Sequence, residues 1–394
     1  LPFHIGRVFL YLTDAAQALT PLRGKTGFRD KIEPMTETKP SLPELLAMQI
    51  RTNGPMSIAS FMGLCLTHPT KGYYKVADPL GAGGDFVTAP EISQMFGELI
   101  GFFVVNLWQQ MGSPKAFTLL ELGPGRGTLM SDMLRVACRA EGFRDALDLR
   151  MFETNPALIA EQNARLEPYE PKWIDAFEKV GDGSLIVVAN EFFDAMPIRQ
   201  FVRMPDGWHE RMVGLKDDAL SFGLDPSPIP LTAMPEAVAN AEPNSVFEIG
   251  LASGEVMKRL SALVSKLGGA ILAVDYGYEK TQTGETLQGV RAHQYADVLS
   301  TPGETDLSSH VDFEALGNLA AKAGLAVHPL LTQGEFLTRL GINERAKALS
   351  SANPHLADDI ATAKKRLVAA DQMGTLFKAF CAASPGLAPA GFLK

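Results

Sequence analysis

The stretch LLELGPGRG at residues 119–127 constrains this chain more than any other. FTLLEL, from Phe117, is a short continuous apolar run, the pattern of a parallel strand buried on both faces. GPGRG turns the chain, and TLMSDMLRVACRAEG reads as a helix closed by Gly142. The same alternation continues. LDLRMFE is a second strand, and Thr154 or Asn155 can cap the next helix with Pro156 at its first position. SLIVVANEFFD is a third buried strand, and GGAILAVDYGY, preceded by the helix GEVMKRLSALVSKLGG, is a fourth. Strands and helices at this spacing imply an α/β fold with a Rossmann-like, doubly wound, mostly parallel sheet.

That fold fixes where ligand chemistry belongs, beyond the carboxyl ends of the strands. Glu121 ends its strand, and Gly123, Gly125 and Gly127 form the turn, so a ligand can approach the backbone closely. A nicotinamide or flavin dinucleotide uses related loops. Two details favour S-adenosyl-L-methionine: an acid before the loop suits a cationic amino-acid moiety, and the spacing is GxGxG, not GxGxxG. Glu153, at the end of the second strand, can accept both ribose hydroxyls. Asn190, where the third strand emerges, is assigned to the same cofactor. Glu191 and Asp194 follow it in ANEFFDAMP, where two carboxylates can orient a cationic nucleophile and accept its proton. Phe192 and Phe193 either wall the pocket or pack in the core.

Around this core, helices are expected over Leu42 to Leu66, the first capped by Ser41. The glycine-rich KGYYKVADPLGAGGDF is expected as a loop that wraps a site, and PEISQMFGELIGFFVVNLWQQMG as one long buried helix. RQFVRMPDGWHERMVGLKDDALSFGL reads as an antiparallel hairpin turning at Asp206-Gly207. The organisation expected is an extension or targeting leader over 1–34, a helical and loop region covering the active site over 35–112, a core over 113–335 with an insertion at about 199–245, and a helical C-terminal part over 336–394. The Lys364 to Arg366 run reads as a solvated helix face.

Bulk properties exclude several classes. The formal net charge is -9. An acidic protein repels phosphate backbones, so a basic protein segment suits it better than nucleic acid. Cys65, Cys138 and Cys381 lie far apart and read as apolar fillers in a reducing compartment: the cytoplasm of a bacterium, which is preferred, or the mitochondrial matrix of a eukaryote. The apolar run from Ile100 to Trp108 is about half the length of a membrane span. No HExxH, CxxC or His cluster points to a metal.

Several stretches together resemble the MidA-like family: KGYYKVADPLGAGGDFVTAPEISQMFGELIG, LLELGPGRGTLMSDMLR, ANEFFDAMPIRQF, LAVDYGY and PGETDLSSHVDF, in order from about residue 40 to 340. GDFVTAPEISQMFGE is far more specific than a glycine loop. The family includes a mitochondrial complex I assembly-factor arginine methyltransferase. The resemblance therefore implies a class I methyltransferase fold and, for that member, symmetric dimethylation of an arginine on a complex I subunit. On this reading Glu191 and Asp194 hold the guanidinium, with Glu91 of TAPEIS as a third candidate. The GDFVTAPEIS segment is expected over the open edge of the cofactor domain. Asp275 and Tyr276 read equally as facing the substrate side or the core, and His310 is read as a cap or packed residue at a helix start. Rival readings are a methyltransferase acting on a small molecule, a non-catalytic S-adenosyl-L-methionine-binding assembly factor and, weakest, a nicotinamide oxidoreductase. An oligomer is possible.

Overall fold

The computed structural model describes residues 40–76 and 88–393. The leader expected over 1–34 and most of the glycine-rich loop, 77–87, lie outside the described residues. Seven strands of a nine-stranded sheet, numbered here along the chain, frame the molecule: β1 (Phe117–Leu122), β2 (Leu147–Phe152), β3 (Lys172–Ile174), β4 (Ser184–Asn190), β5 (Gly269–Tyr278), β6 (Ala326–Val327) and β7 (Phe377–Ala383). Their order is β3-β2-β1-β4-β5-β7-β6. Pairing is parallel from β3 through β5, and β7 runs antiparallel to β5. The order reverses between β1 and β4, which is the switch point where ligands of open α/β sheets bind.

Every residue of β1 is buried because helices cover both faces. One face packs Phe103, Met130, Met133 and Leu119. The other packs Leu120, Val187, Met257 and Phe313. Two glycines bring the helix Gln94–Gln110 unusually close to the helix Thr128–Ala137. A Cβ on Gly97 would lie 2.5 Å from the Asp132 Cβ, and one on Gly101 2.6 Å from the Met133 carbonyl oxygen. The buried Glu98 carboxylate locks this contact, accepting from Arg135 at 3.0 Å and from Arg345 at 2.6 and 2.9 Å.

Several elements differ from the sequence expectation. The long helix over PEISQMFGELIG is two helices, Ala89–Ile92 and Gln94–Gln110. Ser93 sits between them in extended backbone, and its hydroxyl accepts from the Met95 N–H, so a local cap interrupts the helix. The helix after the glycine turn ends at Ala137, and Gly142 instead precedes a short helix at Phe143–Ala146. Tyr73–Val76 is a helical turn within the stretch read as loop.

The C-terminal part, read as helical, needs correction at its end: FKAFCAA is β7, inserted between β5 and β6. Its alanines favour helix locally, but burial on both faces of the sheet overrides that preference. The hairpin, too, is only part of its element. Arg199–Met204 and Gly207–Lys216 pair around Pro205 and Asp206, then join Ala219–Leu224, Val246–Ile249 and the N-terminal Met56–Ser57 in a five-stranded antiparallel sheet. The N-terminal helices pack on that sheet through Ile58, Phe61 and Met62 against Ile198 and Val213.

Candidate active site

Strand register builds the site. Leu122 pairs with Phe152 of β2 and Ala189 of β4, so the chain leaves β1 and β2 at Gly123 and Glu153, abreast of Asn190, the last residue of β4. Gly123, Gly125 and Gly127 have φ of +58°, +53° and +76°, a region that favours glycine, and the turn they make opens onto a cavity of about 310 Å³. Glu91, Glu121, Gly123, Gly125, Glu153, Asn190, Glu191 and Asp194 all line this cavity. Gly127 lies behind it, against the helix Pro156–Leu166.

The acids differ in their surroundings. Glu121 is 2% exposed, and its Oε2 has no hydrogen-bond partner among the described residues. Burial pushes its carboxyl up to about 8. A cationic ligand would relieve that isolation. Glu153 is anchored: its Oε1 accepts from the N–H groups of Thr154 and Asn155, each at 2.7 Å. Burial still raises its pKa against those hydrogen bonds. Asn155 caps the following helix by accepting from the Ala157 N–H at 3.0 Å. A buried unpartnered carboxylate, a glycine turn and a second anchored carboxylate on the neighbouring strand fit a cationic nucleoside such as S-adenosyl-L-methionine.

Glu191 and Asp194 belong to the loop after β4. Glu191 has φ +49°, a conformation uncommon for a non-glycine residue and frequent at functional sites. Its Oε1 accepts from the Asn190 amide at 3.1 Å and from the Ala89 N–H at 3.3 Å. The TAPEIS segment therefore touches the acid loop directly. Burial, then the charge of Asp194, pushes Glu191 up to about 7. Burial pushes Asp194 up to about 6. The Tyr276 hydroxyl stands beside Asp194 and holds its carboxyl down, although the two oxygens do not meet in good hydrogen-bond geometry. Two carboxylates on one loop, both raised in pKa at the wall of one cavity, favour a cation beside them.

Other sequence candidates separate here. Asp275 does not line the cavity. Its Oδ2 accepts from the N–H groups of Phe192, Phe193 and Asp194 at 3.1, 2.9 and 3.2 Å, which fixes the acid loop from beneath. Phe192 lines the cavity and Phe193 packs in the core. Glu91 reaches the cavity, and its carboxylate accepts from the Thr128 hydroxyl at 2.6 Å, at the start of the helix behind the glycine turn. His310 is half-buried with its ring edge-on to Tyr276, and the helix expected to start there begins at Phe313, capped by Asp312. Tyr74 and Asp306 also line the cavity, joined by a 3.4 Å hydrogen bond, as does Tyr276. Tyr74 and Asp306 lie within family-like motifs, but nothing in their local sequence marks them as site residues. Only the folded chain brings them, 232 residues apart, to one place.

Residues 99–331 match the family model Methyltransf_28, described as "Putative S-adenosyl-L-methionine-dependent methyltransferase". The chain is 35% identical over 367 residues to a zebrafish (Danio rerio) protein named protein arginine methyltransferase NDUFAF7, mitochondrial, covering 86% of each chain. It is 33% identical over 400 residues to the human protein of that name, covering 94% of this chain and 89% of the other. A crystal structure from Burkholderia thailandensis, titled a COG1565 superfamily member and likely methyl transferase bound to S-adenosyl-homocysteine, superposes with a TM-score of 0.79 at 26% identity. It covers 89% of this chain and 93% of the other.

Proposed function

The chain belongs to the Methyltransf_28 family of S-adenosyl-L-methionine-dependent methyltransferases, and on that premise we propose that it methylates an arginine side chain carried on a protein. The observation that carries the acceptor assignment is the carboxylate pair of half-buried Glu191 and buried Asp194 beside the cofactor anchors in one cavity. The names of the 33–35% identical relatives support it.

S-adenosyl-L-methionine, when bound, supplies an activated methyl group on a sulfonium leaving group. Glu121, Glu153 and the glycine turn would hold it, with Asn190 at the boundary between the two halves of the cavity. The acceptor side must solve a different problem. A guanidinium is protonated at any ordinary pH and is a poor nucleophile in that form. Glu191 and Asp194 hold it by charge-assisted hydrogen bonds and fix the attacking nitrogen in place. The guanidinium loses a proton as it is methylated, and one of the two carboxylates receives it. Asp275 keeps both in position through the loop backbone.

A respiratory complex I subunit, dimethylated symmetrically, is the acceptor that the motif resemblance implies. The test is incubation with donor labelled in its methyl group and a lysate from cells lacking the gene. Label recovered as methylarginine in a protein is the expected result. Label found only in small molecules would overturn the protein-arginine reading.

A further inference from the structure

We propose that Gln162 is a positioning residue for the methyl donor, holding the glycine turn and the ribose-binding carboxylate together through one side-chain amide. The proposal rests on the reading of the Gly125 turn and Glu153 as the cofactor anchors. Gln162 lies on the helix Pro156–Leu166 and is fully buried. A polar side chain is buried at no cost only if its groups are satisfied. Its Nε2 donates to the Gly125 carbonyl oxygen at 2.7 Å and lies 3.5 Å from Glu153 Oε2. Its Oε1 accepts from the Trp173 indole N–H at 2.6 Å.

The amide's orientation is set by its neighbours. An indole N–H can only donate and a carbonyl can only accept. The oxygen must therefore face Trp173 and the NH₂ must face Gly125 and Glu153. Glu153 Oε1 is already engaged by two backbone N–H groups, which leaves Oε2 for a ligand, steered by Gln162. Gly127 sits over the same side chain: a Cβ there would lie 3.4 Å from Gln162 Cγ. One residue thus reads both the turn after β1 and the acid after β2, and Trp173, on β3, holds that residue in register. Gln162 and Trp173 do not line the cavity, so neither is a catalytic residue.

The test is calorimetric titration of S-adenosylhomocysteine into the full chain and its Gln162→Leu, Trp173→Phe and double variants, with unfolding temperature as a control on the fold. Gln162→Leu should weaken binding about 10- to 100-fold, the scale of a lost hydrogen bond that supports a charged group. Trp173→Phe removes the N–H that orients the amide and should weaken binding by a smaller factor. The double variant should bind no more weakly than Gln162→Leu alone, because Trp173 acts through Gln162. Where Gln162→Leu does not fold, Gln162→Met and Trp173→Phe carry the same comparison. Binding within about twofold of the parent for the folded Gln162 variants would overturn the inference, as would full additivity of the two substitutions. Glu153→Ala separates the two levels of the argument. If it leaves affinity intact, the cofactor-anchor reading fails. If it weakens binding while the Gln162 variants do not, only the inference on Gln162 fails.

Discussion

At the scale of single residues, the site is built from carboxylates held where an isolated charge is costly. Glu121 is the clearest, raised to about 8 by burial with one oxygen unpartnered. A group whose folded pKa lies above its unfolded value stabilises the fold below the unfolded value and loses that contribution as pH rises through the folded one. From the ordinary value of 4.5 to about 8, Glu121 therefore lowers the stability of the cofactor-free protein as pH rises. Glu121→Gln should unfold at a temperature roughly a few degrees higher than the parent at pH 8 and show little difference near pH 5. The same variant should bind S-adenosylhomocysteine less tightly. Scanning calorimetry at both pH values checks the first expectation and titration the second.

Glu191 and Asp194 give a matching pH dependence in activity. They are raised to about 7 and about 6, and only their ionised forms hold a guanidinium. The value of kcat/KM should rise with pH across that interval and flatten above it. A profile that falls over the same range would assign the acceptor to other groups.

At the scale of elements, the glycine turn is held from behind by a helix pair. Gly97 and Gly101 let the helix Gln94–Gln110 approach the helix that begins at Thr128, directly after the turn. Gly101→Val would drive a branched side chain into the Met133 backbone. It should destabilise the fold by about 1–3 kcal/mol, through overpacking, and weaken cofactor binding because the displaced helix carries the turn with it. Urea unfolding and cofactor titration on one sample check both parts. The strands β1, β2, β4 and β5 and the longer helices between them were legible in the sequence because apolar runs and glycine punctuation mark them locally, whereas β3, only three residues long and begun by the exposed Lys172, carries no such run. The break at Ser93 was not. Its neighbours Ile92 and Gln94 suit a helix, and only the Ser93 hydroxyl bonded to the Met95 N–H ends it. β7 was hidden for the opposite reason: FKAFCAA becomes a strand only because β5 and β6 present edges on either side of it.

At the scale of the whole molecule, the order of the sheet explains why residues 91, 121, 153 and 191 meet. The switch between β1 and β4 leaves a crevice, β2 supplies one wall, and the segment before the core folds back over it through Ala89 and Glu91. The glycine turn, Glu121 and Glu153 could be read from order along the chain. Tyr74, Asp306 and Gln162 could not, since their meaning depends on partners far away in sequence or on the burial of an amide. The five-stranded second sheet likewise needed the chain to return, pairing Met56 with Val213. Among the described residues no helix is long and apolar enough to cross a membrane.

The central claim is that one cavity divides into a donor side and an acceptor side, with Glu191 and Asp194 serving the acceptor. Glu191→Gln and Asp194→Asn keep the size of each side chain and remove its charge. The most direct measurement pairs calorimetric titration of S-adenosylhomocysteine with the single-turnover rate of methyl transfer in both variants. Affinity within a few-fold of the parent, with a rate lowered about a hundredfold or more, is the predicted result. Unchanged rates, or loss of cofactor binding in both variants, would contradict the division of the cavity.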